Sequence, residues 1–329
     1  MKFAYYPGCS GEGTSTEYEA STRAVCRALG LEFAEIEDWN CCGSTPAHAM
    51  DTVLSGALGA RNLMLAGRAG AGGVVTPCPS CLSNLKMARH RMRAPEFKAR
   101  VDELLDAPTP AREDGSADLP DTFSVLQVLL EEVGLEAIAT RVTNSLEGLK
   151  VATYYGCLMS RPAEIMKFDD PENPTAMDKI MSALGAEVVP FPLKTECCGA
   201  AMGVALKEVT SSLSGRILAS AKAFGADAVV TACPLCHMNL DLRQGQAGRA
   251  TGIAFDMPVF YYTQLMALAF GLPAASLKLE KLAVSPGPVL KKLADCRAEK
   301  ARVAAEAKQA QAESAARPAE SHEAGGAAS

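Results

Sequence analysis

Five cysteines recur in the same order in the two halves of this chain: Cys9, Cys41, Cys42, Cys78 and Cys81, then Cys157, Cys197, Cys198, Cys233 and Cys236. Corresponding cysteines lie 148, 156, 156, 155 and 155 residues apart, so only small insertions separate the copies. The surrounding text repeats with them. YYPGC at 5–9 returns as YYGC at 154–157, VVTPCPSC at 74–81 as VVTACPLC at 229–236, and SNL at 83–85 as MNL at 238–240. Self-similarity at this length means that one structural unit is built twice.

The doubled cysteines, Cys41-Cys42 and Cys197-Cys198, narrow the chemistry. Neighbouring side chains usually point different ways, so core packing does not account for two adjacent thiols. Two sulfurs reaching one polynuclear centre from a tight turn do. The glycine after each pair, Gly43 and Gly199, is expected to let the backbone approach the metal closely. Five cysteines are one more than a tetrahedral zinc site or a cubane cluster requires. A surplus kept at the same place in both copies argues against redundancy, and leaves either a bridging thiolate or a more open centre.

Around the cysteines, short apolar runs alternate with amphipathic stretches, the pattern of α/β units with parallel sheets. KFAYYP at 2–7, LEFAEIED at 31–38 and GGVVT at 72–76 predict strands, and helices are expected over 15–30, 49–68 and 81–105. Pro79 sits where the first turn of a helix begins, placing Cys78 at a helix N-terminus, whose dipole stabilises thiolates and anionic clusters. FSVLQVLLEEVG is expected to close the first half as a helix, and VFYYTQLMALAFGL near 259–272 to be a buried helix. The cysteines fall in loops after strands, where such sheets place ligands. The division read from the repeat is 1–147, 148–285 and a tail at 286–329, Ala-, Glu- and Lys-rich, beginning as a solvated helix and ending disordered.

Composition removes other classes. A net charge of −6 without a basic stripe gives no reason to propose nucleic acid. The beginning, MKFAYYPGCSGEG, lacks the apolar core of a signal peptide, and the longest apolar stretch is too short to span a bilayer. The expected location is the cytoplasm, without direct membrane insertion. In a reducing compartment, twelve cysteines point to metal or redox chemistry rather than disulfides, and with four histidines sulfur is the principal ligand, favouring iron–sulfur clusters or zinc.

These cysteines, with spacers of 31, 35 and two residues in the first copy and 39, 34 and two in the second, resemble the CCG or cysteine-rich domain. The paired arrangement is similar to the B subunit of heterodisulfide reductases, and YYPGC, DWNCCG, FDDPENP, TECCGA, CPLC and PVFYYTQL carry the likeness over nearly the whole chain except the tail. The resemblance implies an α/β fold of two tandem, pseudo-twofold-related CCG domains, each a small mainly parallel sheet flanked by helices. It implies a noncubane [4Fe–4S] cluster on Cys9, Cys41, Cys42, Cys78 and Cys81 and another on Cys157, Cys197, Cys198, Cys233 and Cys236. It further implies that a disulfide held between them, small-molecule or protein-borne, is reduced by one electron from each side. The implied partners are the iron–sulfur and the flavin-containing subunits of a heterodisulfide reductase-like complex. The longer first spacer of the second copy leaves zinc in one motif as an alternative. Other readings are an electron-relay subunit of a glycolate, lactate or glycerol-phosphate type oxidoreductase, and a structural zinc module.

Remaining residues weigh less. CPSC and CPLC resemble thioredoxin-type motifs when taken alone. His48 and His237 are candidate proton donors to a departing thiolate, against an ordinary surface or hydrogen-bonding role. Cys26 reads as core, Cys296 has no expected role, Lys194 reads as a solvated lysine, and DDPEN at 169–173 as a surface turn. The paired tyrosines Tyr5-Tyr6 and Tyr154-Tyr155 are expected to serve strand and core packing.

Overall fold

The protein is described by a computed structural model covering residues 3–44 and 46–316. In the first half, strand β1 (Phe3–Tyr5) is followed by helix α1 (Thr16–Ala28), β2 (Ala34–Glu35), α2 (Thr52–Arg68), β3 (Gly73–Thr76), α3 (Pro79–Arg91) and β4 (Asp121–Ser124). The second half repeats this as β5 (Lys150–Tyr154), α4 (Ala176–Ala183), β6 (Glu187–Val188), α5 (Lys207–Ala223), β7 (Ala228–Thr231), α6 (Pro234–Asp241), β8 (Val259–Tyr261) and α7 (Tyr262–Ala269). A long helix α8 (Gly287–Ala316) follows. Each half forms a four-stranded sheet, in the orders β2-β1-β3-β4 and β6-β5-β7-β8. Every pairing is parallel, Val75 opposite Phe123 in one sheet and Val230 opposite Phe260 in the other.

Why these stretches are strands is visible in their burial. GVVT and AVVT are buried at every position, as central strands of a parallel sheet covered on both faces must be. Successive side chains then enter different cores. Ala4 and Val74 point into an apolar cluster private to the first half, and Ala152, Val229 and Val259 into one private to the second. Tyr5, Val75, Val151, Val230 and Phe260 point into a third cluster that both halves share. Helices α1 and α7 meet inside it, where the buried hydroxyls of Ser21 and Thr263 lie 2.7 Å apart. The two sheets are therefore held together by a common core and not merely linked.

Four expectations are corrected. FSVLQVLL and VFYYTQL each begin as a strand, β4 and β8, before turning helical. Short apolar runs give no period that separates a buried strand from a buried helix, and pairing with β3 and β7 decides it. The tail also does more than expected: Val289 and Leu293 of α8 are buried in the shared core, and a Cβ on Gly148 would lie 2.6 Å from Cys296 Sγ. The expected disorder at the end of the tail lies outside the described residues. Cys26 is core, as expected. DDPEN is a turn in which Asp170 accepts from the backbone N–H groups of Glu172 and Asn173. Lys194 is not solvated; it is 8% exposed and ion-paired with Asp178.

Candidate metal centres

All ten repeated cysteines stand beyond the C-terminal ends of strands. Cys9 lies in the helical turn Gly8–Glu12 after β1, Cys41 and Cys42 in the loop after β2, and Cys78 caps α3 with Cys81 in its first turn. Cys157, Cys197, Cys198, Cys233 and Cys236 hold the same places after β5, β6 and β7, Cys233 capping α6. Pro79 and Pro234 are the first residues of their helices, where the missing N–H is no loss and φ is already helical.

Each set is gathered by sulfur–sulfur contacts. Cys42 Sγ lies 3.5 Å from Cys81 Sγ, and Cys198 Sγ lies 3.5 Å from Cys236 Sγ. In the first set, contacts continue from Cys81 to Cys78 and from Cys42 through Cys41 to Cys9. In the second, Cys236 meets Cys233 and Cys197 meets Cys157. Backbone N–H groups point at the same sulfurs, Gly43 to Cys41 at 3.5 Å, Gly199 to Cys197 at 3.3 Å and Ala200 to Cys198 at 3.3 Å. Burial is uneven in a matching way. Cys42, Cys78, Cys81, Cys198, Cys233 and Cys236 are buried, Cys157 and Cys197 half-buried, and Cys9 and Cys41 exposed. Each site thus has a closed floor and an open edge.

Crowding five thiols drives their proton affinities apart. Hydrogen bonds from Cys42 and then Cys9 hold Cys41 far below the ordinary thiol range, while the Cys41 partnership pushes Cys42 up to about 12. A hydrogen bond with Cys157 brings Cys197 down to about 6, and one with Cys236 brings Cys198 down to about 7. Cys78 is lowered by Cys81 and by the N–H groups opening α3, against its burial. Cys9 and Cys157 are raised by their contacts with the acidic thiols Cys41 and Cys197. In each set some thiols are brought down while their contact partners are pushed up, and a positive centre among the sulfurs favours the ionised form.

As they stand, no group of three or more His, Cys, Asp or Glu side chains among the described residues is arranged around a metal-ion position. The sulfurs touch one another instead. What fits a metal is the donor chemistry and the backbone that frames it. Ten thiols and no competing ligand type suit iron–sulfur or zinc centres, and a fifth sulfur per site exceeds what one tetrahedral ion takes. Gly8 and Gly156 supply the frame: at φ of +72° and +70°, an added Cβ would lie 2.9 Å from Cys81 Sγ and 3.1 Å from Cys236 Sγ. The glycines of the Cys-Cys-Gly strings do something else. A Cβ on Gly43 would press on Leu58 of α2, and one on Gly199 on Thr210 of α5, so these glycines seat the loop on its helix. The close approach expected of them belongs to Gly8 and Gly156.

Side chains outside the cysteine pattern complete both sites equivalently. Tyr6 donates to Asn40 O at 2.8 Å and Tyr154 to Glu196 O at 2.5 Å, each fixing the residue before a cysteine pair. Asn84 donates to Cys42 O, and Asn239 to Ala200 O at 3.0 Å and Cys198 O at 3.4 Å. Ser55 and Ser214 reach Gly43 O and Cys198 O from α2 and α5. These roles were missed from sequence, although the repeated NL after each Cys-X-X-Cys and the repeated tyrosines were the available signal.

The two histidines are placed apart from the sulfurs. His48 is exposed on the short helix Pro46–Met50. The buried His237 ring lies 2.9 Å from Val259 O through Nε2, and burial lowers its pKa to about 4. Neither ring hydrogen-bonds a cysteine among the described residues. His237 instead stacks on Tyr261 at 4.3 Å between centroids, and Tyr261 on Tyr18 at 4.0 Å. Tyr18 donates to Pro77 O, beside Cys78, so the stack runs between the two cysteine sets. Burial raises the Tyr261 pKa, Ser15 offsets it in part, and Glu17 and then Cys233 and Cys78, one cysteine from each set, add to it.

Comparison with known proteins follows the same two regions. The family model of the CCG cysteine-rich domain matches residues 3–86 and 151–241. The 8-methylmenaquinol:fumarate reductase membrane anchor subunit of Wolinella succinogenes is 34% identical over 84% of this chain and 95% of its own. A protein of Archaeoglobus profundus named as like the heterodisulfide reductase B subunit is 33% identical over 82% of this chain and 91% of its own. The B subunit of a ferredoxin/F420H2-dependent CoB-CoM heterodisulfide reductase of Methanosarcina acetivorans is 29% identical over 86% and 94%. A crystal structure of a hypothetical protein from Helicobacter pylori shares the fold, with a TM-score of 0.64 at 12% identity over 86% of this chain and 52% of that one. No helix of the described residues is long and apolar enough to cross a membrane.

Proposed function

The chain belongs to the CCG cysteine-rich domain family and is a relative of the heterodisulfide reductase B subunit; from that premise we propose that it is the disulfide-reducing subunit of a larger oxidoreductase complex. The observation that carries this reading is the pair of equivalent five-sulfur sites, each with a buried floor and an open edge. Reducing one disulfide takes two electrons, and two like sites supply one each.

Cys9, Cys41, Cys42, Cys78 and Cys81 would hold one noncubane [4Fe–4S] centre, and Cys157, Cys197, Cys198, Cys233 and Cys236 the other. When bound, such centres supply single electrons and iron as an acceptor for thiolate sulfur. The chain does the rest. Gly8 and Gly156 leave room beside the buried sulfurs, and Asn84 and Asn239 hold the paired cysteines in register. The open edges, exposed at Cys9–Cys41 and half-buried at Cys157–Cys197, are where a disulfide enters. The buried stack Tyr18–Tyr261–His237 keeps water from the space between the sets. Of the two histidines, only His48 has an exposed ring to deliver a proton. Residues 1–147 and 148–285 are taken as the two domains, with iron–sulfur and flavin-containing subunits as electron-supplying partners in the cytoplasm.

Metal analysis and electron paramagnetic resonance of anaerobically purified protein, with disulfide reduction by a reduced viologen, test this. About eight irons per chain are expected, and Cys42→Ala and Cys198→Ala should each abolish turnover. Wild-type turnover in both variants, or zinc without iron, would overturn the proposal. A second reading, an electron-relay subunit, is favoured by the Wolinella relative, whose name specifies quinol oxidation and fumarate reduction and no disulfide. It predicts iron signals that thiol products leave unchanged.

A further inference from the structure

On the seam between the halves, away from the sulfurs, lies a cationic cleft. Helix α3 carries Lys86 and Arg89, and Arg93 follows it; the short helix Ala163–Met166 of the second half brings Glu164 and Lys167 opposite. The enclosed space is about 50 Å³, room for roughly three to five waters and so for one small tetrahedral ion. His90 stands at its rim.

The charges here do not cancel. Lys86 is 6% exposed, and its carboxylate partner, Asp121, lies 3.5 Å away while also facing Arg89 at 3.5 Å. Asp121 thus serves two cations loosely. The side chains of Arg93, Lys167 and Glu164 make no ion pair or hydrogen bond among the described residues. Four basic side chains face two carboxylates, so the lining carries two more cationic groups than acidic ones. Burial lowers the Lys86 pKa, Asp121 raises it, and Arg89 and Lys167 lower it again. A buried ammonium beside like charges is unfavourable unless an anion joins it. Guanidinium and ammonium donors converging on one small space are the donor set that oxyanions take.

The cleft is a separate site. Asp121 opens β4 in register with Gly73, the first residue of β3, whereas Cys78 lies beyond the last. At about 3.3 Å per strand residue, the cleft lies at the opposite end of these strands from the sulfurs.

We propose that this cleft binds a small oxyanion of the phosphate class, free or as the terminal group of an organic anion, which ties the two halves together at their seam. The ligand contacts come from both halves, Lys86, Arg89 and Arg93 from one and Lys167 from the other. Occupancy therefore stabilises their juxtaposition by mass action.

Isothermal titration of the full chain with its bound metal tests this, using inorganic phosphate in one arm and glycerol phosphate in the other, at ionic strength matched with chloride. One saturable site is expected, weakened about a hundredfold in the Arg93→Ala/Lys167→Ala double variant, since each of the two lost charged contacts is worth about tenfold. Both residues are exposed, so the variant folds. Equal affinity in the two arms supports a free ion, and tighter ester binding supports an organic anion. Absence of saturation in both arms, or unchanged affinity in the double variant, would overturn the proposal.

Discussion

Replacing Gly8 by alanine tests whether the backbone beside the sulfurs is shaped for a metal centre. Two effects are combined at this position. At φ +72° any L-residue other than glycine sits in left-handed backbone, which costs about 1–2 kcal/mol. The new Cβ would also lie 2.9 Å from Cys81 Sγ, closer than real Cβ atoms come, so the sulfur must shift. Gly30 separates the two effects: its φ is +74°, but nothing lies within 4 Å of a Cβ there. Gly30→Ala should therefore lower the melting temperature by about 2–4 °C or less and leave metal content unchanged. Gly8→Ala should lower it at least as much and also displace one of five ligands to a single centre. Metal per chain should then fall toward half, because the second set is framed independently by Gly156. Metal analysis beside calorimetry of both variants reads this out. Full metal content in Gly8→Ala, or equal loss in Gly30→Ala, would refute the reasoning.

Asn239→Leu removes donors to Cys198 O and Ala200 O and should destabilise by about 1–3 kcal/mol in denaturant, with a changed spectrum for the second centre alone. Leu293→Ala should cost about 2–5 kcal/mol, because that side chain is 2% exposed in the shared core; a loss near zero would return α8 to a solvated tail. Burial raises the Asp102 pKa, but Lys98 and the N–H and hydroxyl of Thr109 hold it below the ordinary value of 3.8. A depressed carboxylate pKa adds stability above pH about 4 and loses it as pH falls through the folded value. Asp102→Asn should therefore flatten the acid limb of a stability–pH curve and leave stability near neutrality lower than wild type.

Much of the fold and of the site's composition was legible because both rest on local rules repeated twice. VVT before a Cys-Pro-X-Cys string announces a buried strand running into a helix N-terminus, and φ of Pro79 and Pro234 needs no tertiary help. The runs FSVLQVLL and VFYYTQL misled, since an apolar stretch of that length satisfies strand and helix alike. Lys194 misled for another reason. The residues that follow it, Thr195 and Glu196, are polar, but Asp178, which draws it inward, is sixteen residues away on α4.

The sequence by itself determined the duplication, the parallel α/β units and the ten sulfurs, because each follows from spacing along one strand–loop–helix unit. Only the tertiary structure decided what surrounds those sulfurs. That Gly8 and Gly156 face them while Gly43 and Gly199 face helices depends on where distant side chains converge. That the halves share a core, stack Tyr18 on Tyr261 and enclose a cationic cleft depends on docking the two copies. Contacts between copies leave no period in the chain, because residues hundreds of positions apart meet through packing and not through repeat.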